Sequence, residues 1–344
     1  MKRHRLVEAV TEKTGGDYYP AKDIRPTLFI PSGCTLLDCI LGGGWPLGRV
    51  TNIVGDKAVG KTLLAIEAAA NFEKIYPAGH IWYREAEAAF DLVYARKLGL
   101  PVDKVDFGPN GIDSLWDTVE DIIEDLDKCL KVAEKEGTPG LYIIDSLDAL
   151  SSRVGLDRDI DAGSFKLEKP KLMGEFFTRY IRRIRASNVA VIIISQVRDK
   201  IGVTFGDKHT RSGGKALDFY ASQILFLTHL KQVQKTIKGT KRATGVIIKA
   251  KSKKNKVTSP HCDCEFPILF RFGIDDIRAS IDWLAEKKML GLLDLTQAGV
   301  KPFLDDIEKA DKETRDGIAL EVRSAVIEAW DEIDTRFDPP YSKY

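Results

Sequence analysis

Eight residues, Gly55-Asp56-Lys57-Ala58-Val59-Gly60-Lys61-Thr62, constrain this chain more than any other stretch. They fit the pattern G-x-x-x-x-G-K-[ST]. The apolar run Val50–Val54 precedes them, and Leu63-Leu64-Ala65-Ile66-Glu67-Ala68-Ala69-Ala70 follows. The order is strand, glycine loop, helix. Gly55 and Gly60 let the backbone turn and bring its N–H groups together. The helix aims its positive end at the same point. Lys61 supplies a cation for the outer phosphates, and the Thr62 hydroxyl suits Mg²⁺. The ligand read from this loop is a nucleoside triphosphate with Mg²⁺.

The rest of the chain repeats the alternation. Strand candidates are Val50–Val54, His80–Arg84, Leu141–Ile144, Val189–Ile194, Ile224–Leu227 and Val246–Ala250. Helical patterns cover 61–74, 90–98, 113–135 and 171–186. Such alternation predicts an α/β fold with a mostly parallel twisted sheet flanked by helices. Leu141–Ile144 and Val189–Ile194 are nearly continuous apolar runs, as strands covered on both faces require. Residues 1–29 read as a short N-terminal arm. Residues 30–275 read as the core, and 276–344 as a small, acidic, mostly helical C-terminal domain.

Composition narrows the class. No run approaches the roughly 18 apolar residues of a membrane span. The start, MKRHRLVEAVTEK, lacks the apolar core of a secretory signal. Five cysteines suggest free thiols in a reducing compartment, so a cytoplasmic protein is expected. Charge is uneven: from Asp275 to Tyr344 there are 17 acidic and 10 basic residues. The remainder is therefore basic, which suits an anionic polymer as partner.

Other residues carry chemistry. Asp145 ends a buried strand candidate, where a phosphate-loop protein places its second metal-side group. Hydrolysis also needs a carboxylate to orient water. Glu85 and Glu87 both end a strand candidate, and chemistry alone does not choose between them. Residues 197–215, VRDKIGVTFGDKHTRSGGK, read as a glycine-rich loop. It carries Arg198, Lys200, Phe205, Lys208, Arg211, Gly213, Gly214 and Lys215. Cations around an aromatic suit single-stranded nucleic acid. A second loop spans roughly 153–170. From Lys231 to Lys256 there are ten Lys or Arg and no Asp or Glu. That run is either a solvated face or a track for phosphates. His261-Cys262-Asp263-Cys264 lacks the spacing of a zinc site.

Two long stretches resemble the RecA family of recombinases. They are EAEAAFDLVYARKLGL, residues 85–100, and ISQVRDKIGVTFGDKHTRSGGKALDFYAS, residues 194–222. The likeness covers roughly residues 30–275. It implies a RecA-like P-loop NTPase core. It implies that Glu87 activates the attacking water and that Tyr94 stacks on adenine, with Asp91 near the base. Gln196 would sense the γ-phosphate and relay it to the DNA loop. Lys254 and Lys256 would reach the ATP of a neighbouring subunit. The family commonly has His where Ala88 stands, Pro where Leu92 stands and often Lys where Asp218 stands. The trimmed ends suit a bacteriophage-encoded relative.

The resemblance implies an ATP-dependent recombinase. It would form helical filaments on single-stranded DNA, pair them with homologous duplex DNA and hydrolyse ATP at subunit interfaces. Two other readings stay open here: a helicase-type motor on the same fold, and an accessory ATP- and DNA-binding paralogue.

Overall fold

The computed structural model describes residues 27–109, 111–112, 115–156, 168–199, 209–211 and 214–341. The arm before residue 27, Lys200, Phe205, Lys208, Gly213 and most of the 153–170 loop lie outside the described residues.

The chain enters through β1 (Phe29–Ile30), α1 (Thr35–Leu41) and β2 (Trp45–Pro46), with β1 and β2 paired antiparallel. The phosphate-loop unit follows as β3 (Val50–Gly55) and α2 (Lys61–Ile75). Next come β4 (His80–Glu85), α3 (Leu92–Lys97), β5 (Val105–Asp106), α4 (Val119–Glu136) and β6 (Gly140–Asp145). Then come α5 (Arg153–Leu156), α6 (Glu168–Ala186), β7 (Val189–Asp199), β8 (His209–Arg211) and α7 (Gly214–Tyr220). The last strands are β9 (Gln223–Ile237), β10 (Thr240–Asn255), β11 (Asp263–Leu269) and β12 (Gly273–Ile274). Helices α8 (Asp276–Glu286), α9 (Val300–Lys309) and α10 (Lys312–Thr335) close the described chain.

The main sheet runs β12-β11-β10-β9-β3-β7-β6-β4-β5. Pairing is parallel from β9 through β3, β7, β6 and β4 to β5, and antiparallel from β9 to β12. The apolar period of two along each central strand feeds two cores. Ala190, Ile192 and Ile194 of β7 face one side, with Leu64 and Phe72 of α2. Val189, Val191 and Ile193 face the other, with Leu126 of α4 and Phe177 of α6. Helices on both faces explain why these strands read as unbroken apolar runs.

Buried amide side chains tie elements of this core together. The buried Asn52 of β3 donates to Ile193 O and Ser195 Oγ of β7, both at 2.8 Å. The C-terminal carbonyls of α1 are met by side chains. Gln223 Nε2 donates to Leu41 O at 2.8 Å, and Asn255 Nδ2 to Ile40 O at 3.3 Å. Helix ends otherwise lacking partners are thereby tied to the first and last residues of the β9–β10 ribbon.

Three expectations change. The 197–215 stretch is not wholly loop. β7 continues to Asp199 and pairs antiparallel with β8, Val197 opposite Arg211 and Asp199 opposite His209. The backbone amides there find partners in each other, which composition did not reveal. Second, the basic run lies on a long ribbon, β9–β10, which shifts register at three points and is much longer than the short strands expected. Third, the helix expected at 113–135 begins at Val119, where the Thr118 side chain caps it by accepting the Asp121 N–H.

The C-terminal helices share the main apolar cluster through Ile281, Leu284 and Val326. Carboxylates fasten them to α1. Asp276 accepts the Thr35 N–H at 2.6 Å and its hydroxyl at 2.7 Å. Asp38 accepts the Ser32 N–H at 2.8 Å and Arg323 Nη2 of α10 at 3.2 Å. Burial pushes Asp38 up to about 7, despite the hydrogen bonds from Ser32 and the nearby Arg323. The folded value lies above the unfolded one, so the fold disfavours the charged form. That penalty grows as pH rises from about 4 and is complete above about 7. Asp38→Asn is therefore expected to melt higher than wild type at pH 8, with the gap shrinking towards pH 4. Thermal denaturation at both pH values checks this.

Candidate nucleotide site

Parallel register brings four strand ends to one edge. Gly55 of β3 pairs with Gln196 of β7, and Glu85 of β4 with Asp145 of β6. A crevice outside the carboxyl ends of parallel strands is where open α/β sheets bind ligands. Here it is a cleft of about 370 Å³. Lys57, Ala58, Val59, Gly60, Lys61, Thr62 and Leu63 form one wall. Glu87, Asp145 and Gln196 form the polar floor, and Tyr94, Val246, Ile268 and Phe270 an apolar end.

Gly60 sits at the N-cap of α2 with φ of 84°, a left-handed backbone that glycine adopts without strain. Lys61 Nζ donates to Gly55 O at 3.1 Å and to Asp56 O at 2.6 Å. Burial lowers the Lys61 pKa, and the charges of Glu87, Asp145, Asp56 and Asp148 oppose that. The cation is thus held at the mouth of the helix by its own loop and a ring of carboxylates.

The two glutamates separate clearly. Glu85 is 3% exposed, and its carboxylate accepts the Glu87 N–H at 2.6 Å. Burial raises its pKa, with Asp145 and Glu87 adding to the rise. Glu87 projects into the cleft. Its Oε1 accepts Gln196 Nε2 at 3.0 Å and the Ser146 hydroxyl. Ala88 next to it has φ of 57°, a left-handed conformation in which His, the common family residue, is also enriched.

Asp145 is buried beneath Thr62. Its Oδ2 accepts the Tyr83 hydroxyl at 2.6 Å. Burial raises its pKa, while hydrogen bonds from Tyr83 and Thr62 hold it down. A threonine hydroxyl and a carboxylate are hard oxygen donors, the kind magnesium takes beside phosphate oxygens and water. The donor set therefore fits Mg²⁺.

Gln196 is held at both ends. Its N–H donates to Asp148 Oδ2 at 2.6 Å, and its side chain reaches Glu87. From Gln196 the strand runs directly into the β7–β8 hairpin. Arg198, Arg211, Gly214 and Lys215 are placed there by their backbone.

Other candidates fall outside the cleft. Asp91 is exposed and caps α3, accepting Val93 N–H and Tyr94 N–H. Lys254 and Lys256 do not line this chain's own cleft. Lys254 Nζ donates to Asp218 O at 2.5 Å and Phe219 O at 2.8 Å, and Lys256 Nζ to Phe219 O at 3.3 Å. The buried Asn255 between them fixes the tripeptide, accepting the amides of Val257 and Thr258. Both lysines thus rest on the carbonyl end of α7, beside an outward Phe219 ring that is 70% exposed. In the tetrapeptide 261–264, Cys264 is buried in the core and His261 is exposed.

Sequence reasoning missed Ser146, Asp148 and Phe270. Asp148 was visible as the second carboxylate of Asp145-Ser146-Leu147-Asp148. Phe270 carried no local signal, because the β11–β12 turn that aims it is set by tertiary packing.

Comparison with known proteins places the chain in a family. A family model, the RecA N-terminal domain, covers residues 21–275. The chain is 36% identical over 259 residues to Protein RecA of Streptomyces avermitilis, spanning 75% of this chain and 64% of that protein. It is 36% identical over 258 residues to Protein RecA of Nostoc punctiforme, spanning 75% and 67%. It is 37% identical over 261 residues to Protein RecA of Parasynechococcus marenigrum, spanning 75% and 64%. With a parallel sheet, a phosphate loop and an aligned core over three quarters of its length, the chain belongs to the RecA family.

Proposed function

We propose that this chain is an ATP-dependent DNA recombinase. Its subunits assemble as helical filaments on single-stranded DNA, pair it with homologous duplex and exchange strands. ATP is hydrolysed at the joints between subunits. The observation that carries this is the Gln196–Glu87 hydrogen bond. It links a carboxylate in the phosphate cleft to the strand that enters the candidate DNA loop.

In this mechanism the α2 N-terminus and Lys61 hold the phosphates. Magnesium, held by Thr62 and Asp145, would neutralise charge on the phosphate oxygens. Glu87 takes a proton from the attacking water, and Ser146 and Gln196 orient it. Gln196 exchanges its Glu87 contact for the γ-phosphate, so nucleotide state reaches the loop as an order–disorder bias. Tyr94 stacks on the base, with Asp91 close to it. Lys254 and Lys256 act on the neighbour's nucleotide, where cations supplied in trans stabilise the transferring phosphoryl group.

Arg198, Lys200, Phe205, Lys208, Arg211, Gly213, Gly214 and Lys215 are the proposed DNA contacts. The β9–β10 ribbon supports a polyanion partner. Lys235 and Arg242 face each other directly across it, and like charges so placed repel. Among the described residues no helix is long and apolar enough to cross a membrane. We place the activity in the cytoplasm, that of a host cell if the gene is carried by a bacteriophage. Residues 1–29 would serve as a polymerisation arm and 276–344 as a C-terminal domain.

Purified protein should exchange strands between single-stranded circles and homologous duplex in the presence of ATP. It should appear as open helical filaments by electron microscopy. Closed rings or an ATPase indifferent to single-stranded DNA would defeat the proposal. Glu87→Gln should keep ATP-dependent DNA binding and lose turnover by about 100-fold or more, as loss of a general base does. Steady-state ATPase and filter-binding assays read the two effects separately. Lys254→Ala should slow hydrolysis while leaving nucleotide binding to the monomer intact. Mixed with Lys61→Ala protein, it should regain part of the activity, because some joints then pair an intact phosphate loop with an intact lysine. Absence of any such recovery counts against action in trans.

A further inference from the structure

We propose that Glu67 is a positioning residue for the base-binding end of the cleft, an inference that rests on the cleft being the nucleotide site. Glu67 lies on α2, five residues beyond Thr62, and does not line the cleft. Its Oε1 accepts the Ile274 N–H of β12 at 3.1 Å. Between β11 and β12 runs the turn that carries Phe270, which lines the cleft beside Tyr94.

The carboxyl packs closely against two glycines. Gly273 has φ of 105°, and a Cβ there would stand 2.6 Å from Glu67 Oε1 and 2.7 Å from Leu98 Cδ2. Leu98 caps α3, the helix of Tyr94, and its N–H bonds to Tyr94 O at 3.0 Å. On the far side, a Cβ at Gly33 would stand 2.2 Å from Glu67 Oε2. The Phe270 turn is therefore clamped between the helix that starts with Lys61 and the helix that carries Tyr94. Ile274 is buried, so removing the carboxyl leaves its N–H with no acceptor.

The consequence is a fixed distance between two ends of one ligand. One end of the cleft is polar, with Lys61, Thr62 and Asp145. The other is flat and apolar, with Tyr94 and Phe270. Glu67 ties the helix of the first to the turn of the second. Burial pushes its pKa up to about 8, with Asp276 raising it further and Lys74 and the Ile274 amide opposing. Burial thus favours the neutral form, which a neutral amide can replace.

The test measures binding of two magnesium-loaded probes to the purified full chain. ATP has a base, and tripolyphosphate has none. Glu67→Ala should weaken ATP about tenfold, the scale of one lost aromatic stack, and leave tripolyphosphate within about twofold. Glu67→Gln should stay within about twofold of wild type for both probes. Phe270→Ala should show the same selective loss, and Glu67→Ala should add nothing to it. Leu98→Ala loosens the clamp from the other side and should show the same selectivity even if Glu67→Ala does not fold. Equal weakening of both probes, full additivity with Phe270→Ala, or unchanged ATP binding overturns the assignment. Lys61→Ala is the separate control: if it leaves tripolyphosphate binding unchanged, the cleft is not the phosphate site and the underlying reading fails instead.

Discussion

The cleft depends on one constraint, the parallel register of β3, β7, β6 and β4. Gly55 is level with Gln196 and Glu85 with Asp145, the second pair two residues below the first, so four different chain segments meet along one edge of the sheet. The register is held from inside. Asn52 reaches across from β3 to two acceptors on β7, both at 2.8 Å and fully buried. A slip of one residue would turn every apolar side chain of these strands to the opposite face and leave Asn52 without its acceptors. The position of Glu87 relative to Lys61 is thus fixed far from either residue, by strand pairing rather than by contacts in the cleft.

Much of this was legible in the chain. The phosphate loop was readable because its chemistry is local: glycines, lysine and threonine at fixed spacing create the anion site themselves. Asp145 was readable because a carboxylate ending a nearly continuous apolar run is a local signal too. Glu85 and Glu87 were not separable by residue type. The structure separates them by burial, since Glu85 is the buried last residue of β4 and Glu87 lies exposed two residues beyond the strand. The β9–β10 ribbon was misjudged because its outer half is polar on both faces, so it shows no apolar alternation. Its continuity comes from cross-strand pairing through a two-residue turn at Lys238 and Gly239, both with positive φ. The Phe270 turn was hidden for the same reason, as its shape is imposed by Glu67 and Leu98, distant in sequence.

The two lysines of the tripeptide 254–256 raise a question of energetics. Each ammonium lies against the carbonyls that end α7, the negative end of a helix dipole. Such contacts are exposed, and exposed polar contacts contribute little. A triphosphate carries more charge than two carbonyl dipoles present. Moving an ammonium from these carbonyls to a neighbour's phosphates therefore costs little and gains a strong charge-assisted interaction. If the lysines act in trans as proposed, the present position would be a rest that keeps them together, with Asn255 anchoring the backbone between them.

Gln196 has the opposite character. Its main chain is fixed by both β3 and Asp148, so only the amide head is free to choose a partner. With Glu87 as the partner, the head holds the carboxylate towards Ser146. A γ-phosphate entering the same space competes for the same donor. In the proposed mechanism, releasing Glu87 at that moment would leave its carboxylate able to accept a proton from water, while the amide would draw on the strand that enters the β7–β8 hairpin. A residue rigid at its backbone and bistable at its head is suited to couple two events without moving the sheet, which packs too tightly on both faces to deform.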